Sequence, residues 1–499
     1  MFWTESLWMY LLGIIVAFTA ICITKLKRKF AYWKIRNVPY LEPSFPFGNL
    51  QNPFKVRETV GISVKRLYDE LKSKKLPHGG VFFLSRPIYL LADLESIKNV
   101  LTKDFQYFFN RGVYYNEKDD PISAHLFAIG GQRWRNLRMK LTPTFTSGKM
   151  KLMFQTLLDC QKNLHEKIAL LCESKQPIDI KELLGCYTTD VIGSCAFGLE
   201  CNTFKDDDSP FRKYGKKVFG SNISRRLQIS FAVNFPKAAR AFKIRAIPKD
   251  ISDFFSKVVK DNVEYREKNN FRRNDFMQLL IDLKNNKLVT IEEVTAQSFV
   301  FFLAGFETSS TAMTFALYEL AKNQDIQQKV RDEISTVLAK HDGKVTYDAI
   351  KDMTYMNQVL DETLRKYPPV PILSRECVRD YRIPGEDMVI EKGTRILVPV
   401  LGIHYDEEYY PNPEKFDPER FDEENSKNRQ QYSYIPFGEG PRICIGLRFG
   451  IMQSKVELTS LLQKYKFTLN DKTKQPMKFA KNSFILAVEG DVWLDAEKL

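Results

Sequence analysis

The chain is short of the residues that frame a secreted scaffold or a zinc site. It has eight cysteines in 499 residues, with no CxxC pair and no regular spacing, which excludes a disulfide framework and places the bulk of the chain in a reducing compartment. The five histidines, His78, His125, His165, His341 and His404, show no metal-type spacing, and none is assigned as a ligand. No internal repeat and no Gly/Ser-rich linker follows Leu50, and no GxGxxG fingerprint occurs, so a built-in dinucleotide domain has no support. Hydrophobic residues make up 44% and charged residues 27% of the chain, which excludes a disordered tail, a collagenous repeat and a polytopic membrane protein. Lys and Arg (75) outnumber Asp and Glu (61), for a net charge of +14. The excess is spread along the chain, so it reads as a basic surface facing solvent, anionic lipid or an acidic protein rather than nucleic acid.

What the chain does have begins at its N-terminus. Leu7 to Thr24 carries no charge, and Phe2 and Trp3 extend the apolar run to the length a helix needs to cross a bilayer. Lys25, Lys27, Arg28 and Lys29 follow, which by the positive-inside rule keeps this end cytosolic and sends the N-terminus to the lumen. A cleaved signal peptide would need a basic n-region and an A-x-A-like site, and both are missing. A mitochondrial presequence would be Arg-rich and amphipathic, which this stretch is not. Residues 1–24 are therefore predicted as a membrane anchor and 25–50, with Pro39, Pro43, Pro46 and Gly48, as a basic, Pro-rich hinge of extended, stiff backbone. Residues 51–499 are predicted to form one large body behind it. The sequon Asn222-Ile223-Ser224 falls on the cytosolic side in this reading and is taken as a chance match.

Helical periodicity dominates that body, most clearly over Met150–Leu171 and Thr290–Lys322, with short β-type runs at Val81–Leu91 and Arg395–Val400. Thr290 and Glu293 make a capping-box pattern. From Val294 to Tyr318 the only charged side chain is Glu307, but Thr295, Gln297, Ser298, Thr308, Ser309, Ser310, Thr311 and Thr314 make the segment too polar to face lipid. It reads as a helix buried through the middle of a large domain. A lone carboxyl and clustered hydroxyls there are costly unless used, and Gly305 in the same turn implies local distortion and space.

The second concentration of signal is PFGEGPRICIG, Pro436 to Gly446, opening the helical pattern Leu447–Leu462. A cysteine at a helix start, with Arg442 two residues before it, is placed to be a thiolate, since helix-terminal N–H groups and a cation both favour negative sulfur. Phe437, Gly440, Arg442, Cys444 and Gly446 match the FxxGxRxCxG signature of haem-thiolate enzymes, and here the sequence resembles a cytochrome P450. Ala304-Gly305-Phe306-Glu307-Thr308 resembles that family's oxygen-binding segment, Glu362-Thr363-Leu364-Arg365 its ExxR element, Pro418-Glu419-Arg420-Phe421 its PERF-type motif, and Trp134-Arg135-Asn136-Leu137-Arg138 its WxxxR element. The likeness covers essentially the whole chain and is closest to the insect microsomal family six.

The resemblance implies a mainly α fold with a minor β portion, a single large haem-thiolate domain behind an N-terminal transmembrane helix. It implies haem b held by Cys444 as the axial ligand of iron, whose thiolate favours O–O cleavage. Phe437 would shield the sulfur, and Gly440 and Gly446 would let backbone approach the porphyrin. Trp134, Arg138, Arg375 and Arg442 would bind the propionates. Glu362 and Arg365, three apart, share a helix face, and the family adds Arg420 to make a buried cluster that fixes the Cys loop. Gly305 would leave room for dioxygen, and Thr308 and Glu307 would bring protons to it.

Too few residues follow Cys444 for a flavin domain, so a separate electron donor is implied: NADPH–cytochrome P450 reductase, with cytochrome b5, met by Arg133, Arg135, Lys140 and Arg448. The function so implied is a monooxygenase of the endoplasmic reticulum membrane, single-pass with its catalytic domain on the cytosolic face, acting on lipophilic foreign compounds such as plant toxins or insecticides. The alternatives are an endogenous lipid or hormone hydroxylase, or a haem-thiolate isomerase or dehydratase. Substrate contacts are expected from Asn110–Phe127, Phe299–Phe302, Val370–Leu373 and Ser483–Phe484.

Overall fold

A computed structural model describes residues 2–50, 56–206, 208–220 and 222–499, with side chains from residue 8 onward. Phe2 and Trp3 are therefore described in backbone only. One helix, Phe2–Phe30, runs through both the apolar run and the basic cluster. It does not stop at Thr24, because Lys and Arg are good helix formers and Lys27, Arg28 and Lys29 suit the negative end of the helix dipole. The apolar side chains from Trp8 to Ile21 project away from the body, exposed over their whole length.

The segment after it is extended from Pro39, as the prolines predict, but it does not hang free. Trp33, Val38, Leu41 and Leu50 are buried in the core of a four-stranded sheet, and Trp33 Nε1 donates to the Val81 carbonyl at 3.2 Å. A Cβ on Gly80 would lie 2.3 Å from the Trp33 ring, so that glycine makes the seat for the indole.

The sheet consists of β1 (His78–Phe83), β2 (Arg86–Leu91), β3 (Leu373–Glu376) and β4 (Arg395–Val398), in the order β1-β2-β4-β3. The run Val81–Leu91 thus divides into the two arms of a hairpin that turns at Leu84-Ser85. β4 pairs parallel to β2, with Ile88 opposite Arg395, and antiparallel to β3, with Arg375 opposite Ile396.

Apart from a three-stranded sheet (Ile178–Asp179, Trp493–Lys498, Tyr465–Leu469) and a two-stranded one (Tyr381–Arg382, Val389–Ile390), the rest is built on helices around the central helix Ile291–Lys322, whose Thr290–Glu293 capping box is formed. Its hydroxyls explain how so polar a segment lies buried: Thr295 donates to Ile291 O at 2.8 Å and Thr314 to Ser310 O at 2.7 Å. Those hydroxyls are satisfied by the preceding turn, whereas Ser298 Oγ is buried without a partner. Glu319, just past Tyr318, is paired with Lys366 at 2.9 Å. The helix Ile180–Ile192 packs along it, and Gly305 sets the closeness of approach. A Cβ there would lie 2.4 Å from Ile192 Cδ1. The missing side chain of Gly305 thus makes room for a neighbouring helix, not only for a ligand.

Candidate active site

The Cys loop takes its shape from a short turn, Gly440–Arg442, ahead of the helix Leu447–Lys464. Gly440 has φ +74°, and a Cβ on it would lie 2.1 Å from the Leu101 carbonyl oxygen. Its glycine requirement comes from protein packing and the left-handed backbone, whereas the sequence reading placed it against porphyrin. Gly446 and Gly438 do face the cavity. Cys444 N–H donates to Phe437 O at 3.0 Å, which closes the loop.

Cys444 lies deep in the body, yet its sulfur opens on a cavity of about 460 Å³. Burial pushes the thiol pKa up, while the Gly446 amide, Arg111 and Arg138 pull it down. The cations acting on the sulfur are Arg111 and Arg138, rather than the Arg442 expected from sequence. Arg442 instead donates to Phe109 O at 2.6 Å and Ile129 O at 2.9 Å, with its guanidinium 4.0 Å from the centre of the Trp134 ring.

Arg138, Arg375 and Arg442 line the same cavity as Trp134 and Phe437, so the expected propionate set is brought together. Arg111 joins it. Sequence reasoning had placed that residue in a stretch assigned to substrate, and a lone Arg in a loop carries no motif. Burial depresses the Arg111 pKa to about 9, with Arg375 adding repulsion. Burial likewise brings Arg375 to about 10 and Arg442 to about 8. Arg375 Nε and Arg442 Nη1 are buried without a hydrogen-bond partner, and no Asp or Glu among the described residues lines the cavity. Four converging guanidiniums, two of them with an orphaned N–H, require anions. The two propionates of a haem, with its iron at Cys444, fit that donor set.

The opposite wall is one face of the central helix: Val300, Phe301, Ala304, Gly305, Thr308 and Ser309, recurring at helical period. Phe299 and Phe302, expected here, point away into an aromatic cluster around Phe255, at ring distances of 5.2 and 5.1 Å. Thr308 Oγ1 donates to Ala304 O at 2.5 Å. Glu307 does not line the cavity. Helical rotation turns it away from Thr308's face, toward a cluster in which Glu182 pairs with Arg212 and Lys216, each at 2.9 Å. Burial raises the Glu307 carboxyl pKa, opposed by Arg212, Lys181 and Lys216. Of the remaining expected substrate contacts, Leu126, Phe127, Val370, Ile372, Leu373 and Phe484 line the cavity.

Glu362 and Arg365 are fully buried and joined at 2.6 Å, and Arg420 Nε lies 3.6 Å from Glu362. The cluster reaches the Cys loop through an intermediary that sequence reasoning missed. Arg365 donates to His404 O at 2.7 Å, the His404 ring meets Arg365 O at 3.0 Å through Nδ1, and Ile435 N–H meets its Nε2 at 3.0 Å. Burial and Arg365 hold the imidazole pKa down to about 3. The ring is neutral, and its two partners assign the tautomer: Nδ1 donates and Nε2 accepts. His404 thus links the ExxR helix to the residue just before the loop.

The outward basic residues differ among themselves. Arg133 is engaged by Glu117 and Glu293, and Lys140 donates to Leu288 O at 2.6 Å. Arg135 and Arg448 face solvent.

Comparison with known proteins agrees in kind over nearly the full length. A family model described as Cytochrome P450 matches residues 43–493. The chain is 42% identical to cytochrome P450 6a2 of Drosophila melanogaster over 98% of this chain and 99% of that one. It is 44% identical to probable cytochrome P450 6a14 of the same organism, over 94% and 96%, and 41% identical to cytochrome P450 6A1 of Musca domestica, over 99% and 98%.

Proposed function

Because the chain belongs to the cytochrome P450 family, and is by that membership a haem-dependent monooxygenase, we propose that it inserts one oxygen atom from O2 into lipophilic foreign compounds such as plant toxins or insecticides. Electrons come from NADPH through a separate cytochrome P450 reductase, with cytochrome b5 as a second donor. The protein is held by its N-terminal helix in the endoplasmic reticulum membrane, catalytic body on the cytosolic side, as Lys25, Lys27, Arg28 and Lys29 direct. The observation that carries this reading is that Cys444, the four arginines and Thr308 line one largely apolar cavity.

In this reading Cys444 would hold the iron of haem b, and Trp134, Arg111, Arg138, Arg375 and Arg442 its propionate edge. When bound, the thiolate-ligated haem supplies the activation of O2 and the transfer of oxygen. The protein does the rest. Phe437 and the Gly446 amide keep water from the sulfur and stabilise its negative charge. Thr308 gives its own hydrogen to Ala304 O and so presents lone pairs to the cavity, where they hold a proton-bearing water in place. Glu307, on the far side of the helix, is a reserve acid that acts through solvent rather than by direct contact. Phe127, Phe301, Leu373 and Phe484 keep water out and accept an apolar substrate.

Cys444→Ser should abolish the thiolate-type spectrum of the reduced CO complex; an unchanged spectrum assigns the ligand elsewhere. Thr308→Ala should raise peroxide released per NADPH consumed, and unaltered coupling removes Thr308 from proton delivery. Turnover of a broad lipophilic panel with purified reductase identifies the substrate class. Protease protection of an N-terminal tag in sealed microsomes tests the orientation.

A further inference from the structure

The ExxR helix, Thr354–Lys366, carries a second carboxyl directed at the Cys loop. Asp361 stands next to Glu362, and one helical step turns the two side chains about 100° apart. Glu362 is spent on Arg365, Arg420 and the Asp417 amide. Asp361 instead takes the Tyr434 hydroxyl, which donates to Asp361 Oδ1 at 2.8 Å and has the Asp361 carbonyl oxygen at 3.1 Å. The phenol has one hydrogen, and the shorter contact claims it. The nearby cations use their N–H groups elsewhere, Lys455 on Met353 O at 2.8 Å and Arg429 on Arg420 O at 2.9 Å. They reach Asp361 through charge: burial raises its pKa, and the Tyr434 hydroxyl, Arg429 and Lys455 oppose that rise.

The Tyr434 ring stacks on His404 at 5.5 Å and meets Phe421 of the PERF element edge-on at 4.8 Å. A phenylalanine would make the same ring contacts, so the hydroxyl answers to Asp361. From Tyr434 the hydrogen bonds run on toward the sulfur. His404 holds the Ile435 N–H, the Ile435 carbonyl accepts from Gly438 N–H at 3.0 Å, and the Phe437 carbonyl accepts from Cys444 N–H at 3.0 Å. The start of the loop is therefore tied at two consecutive residues, by main chain at Ile435 and by side chain at Tyr434. One tie leaves the chain free to pivot about it. Two fix its direction, and with it the carbonyl on which the Cys444 amide hangs.

We propose that Asp361 and Tyr434 are positioning residues for Cys444: their hydrogen bond fixes the entrance of the Cys loop in the pose that keeps the sulfur on the iron as a thiolate. The inference rests on Cys444 being the haem ligand of the proposed monooxygenase.

The test uses the full-length, haem-loaded protein and two readouts besides activity. One is the rate at which the reduced CO complex passes from the thiolate-type to the thiol-type spectrum in dilute urea. The other is amide hydrogen exchange across residues 435–444, followed by mass spectrometry. Tyr434→Phe and Asp361→Ala should each speed both by about fivefold to tenfold, the loss of one hydrogen bond. Asp361→Asn, whose amide oxygen still accepts from the hydroxyl, should stay within about twofold of wild type. The double variant Tyr434→Phe/Asp361→Ala should be no faster than either single one. Wild-type rates in Tyr434→Phe overturn the proposal, and so do multiplied effects in the double variant or an Asp361→Asn as fast as Asp361→Ala. A lower urea midpoint with loop exchange and conversion rate unchanged makes the pair ordinary packing, which overturns it too. A wild type without a thiolate-type spectrum would sink the haem-ligand assignment, while loop exchange would still decide the tie.

Discussion

Replacing Glu457 by glutamine should stabilise the protein, and increasingly so as the pH rises. Glu457 lies on the helix Leu447–Lys464, fully buried, with both carboxyl oxygens unpartnered. The nearest cationic candidate, His165, stands 4.0 Å away and is engaged by Ser460 at 2.9 Å. Burial and Lys464 push the His165 pKa down to about 4, so it carries no charge at neutral pH. Burial pushes the Glu457 carboxyl up to about 8 from its ordinary 4.5, against smaller opposing effects of Gln161, Lys464 and Tyr187.

The folded carboxyl therefore holds a proton that the unfolded chain has already released. Its stabilising effect is full below pH 4.5 and is lost as pH rises to about 8. At about 1.4 kcal/mol per pKa unit, the cost at neutral pH is about 3 kcal/mol, and it grows by a similar amount between about pH 5.5 and pH 8. Glutamine keeps the shape and removes the titration. Urea unfolding of wild type and Glu457→Gln at the two pH values isolates the effect, because His165 and every other group are common to both. A stability difference independent of pH would refute the reasoning and mean that Glu457 is ionised and paired in the folded state.

Gly305→Ala should cost about 1–3 kcal/mol of stability by driving a methyl into Ile192, and Ile192→Ala on that background should restore part of it; urea midpoints decide. Arg365→Leu should cost about 3–5 kcal/mol and reduce haem retention, measured by haem absorbance per protein, because Glu362 is left buried and unpaired; adding Glu362→Gln should recover part of the stability. Trp33→Ala should destabilise the catalytic body by about 3–5 kcal/mol in thermal unfolding, although the residue lies in the stretch read from sequence as hinge. His404→Ala should weaken haem retention without altering the residues that line the cavity; unchanged retention would show that Ile435 positions the loop unaided.

The local features were legible because they depend on neighbours in the chain. The N-terminal helix shows in its unbroken apolar run, the central helix in its capping box and period, the Cys loop in its string of glycines around Arg442 and Cys444. The spacing of Glu362 and Arg365 already put them on one face. Helical geometry could also have separated Val300, Phe301, Ala304 and Thr308 from Phe299, Phe302 and Glu307, had period been applied residue by residue.

What chain order alone could not disclose is which distant segments meet. Arg111 and Arg395 join the cavity from a loop and a strand with no motif of their own. His404 becomes a bridge only because Arg365 and Ile435 meet on its two nitrogens, and Gly440 is required by a carbonyl at Leu101, far away in the chain. Short-range order follows from backbone sterics and periodicity, which a sequence states directly. The charge surplus of the cavity and the burial that sets each pKa arise from packing between remote residues, and exist only once the chain has closed on itself.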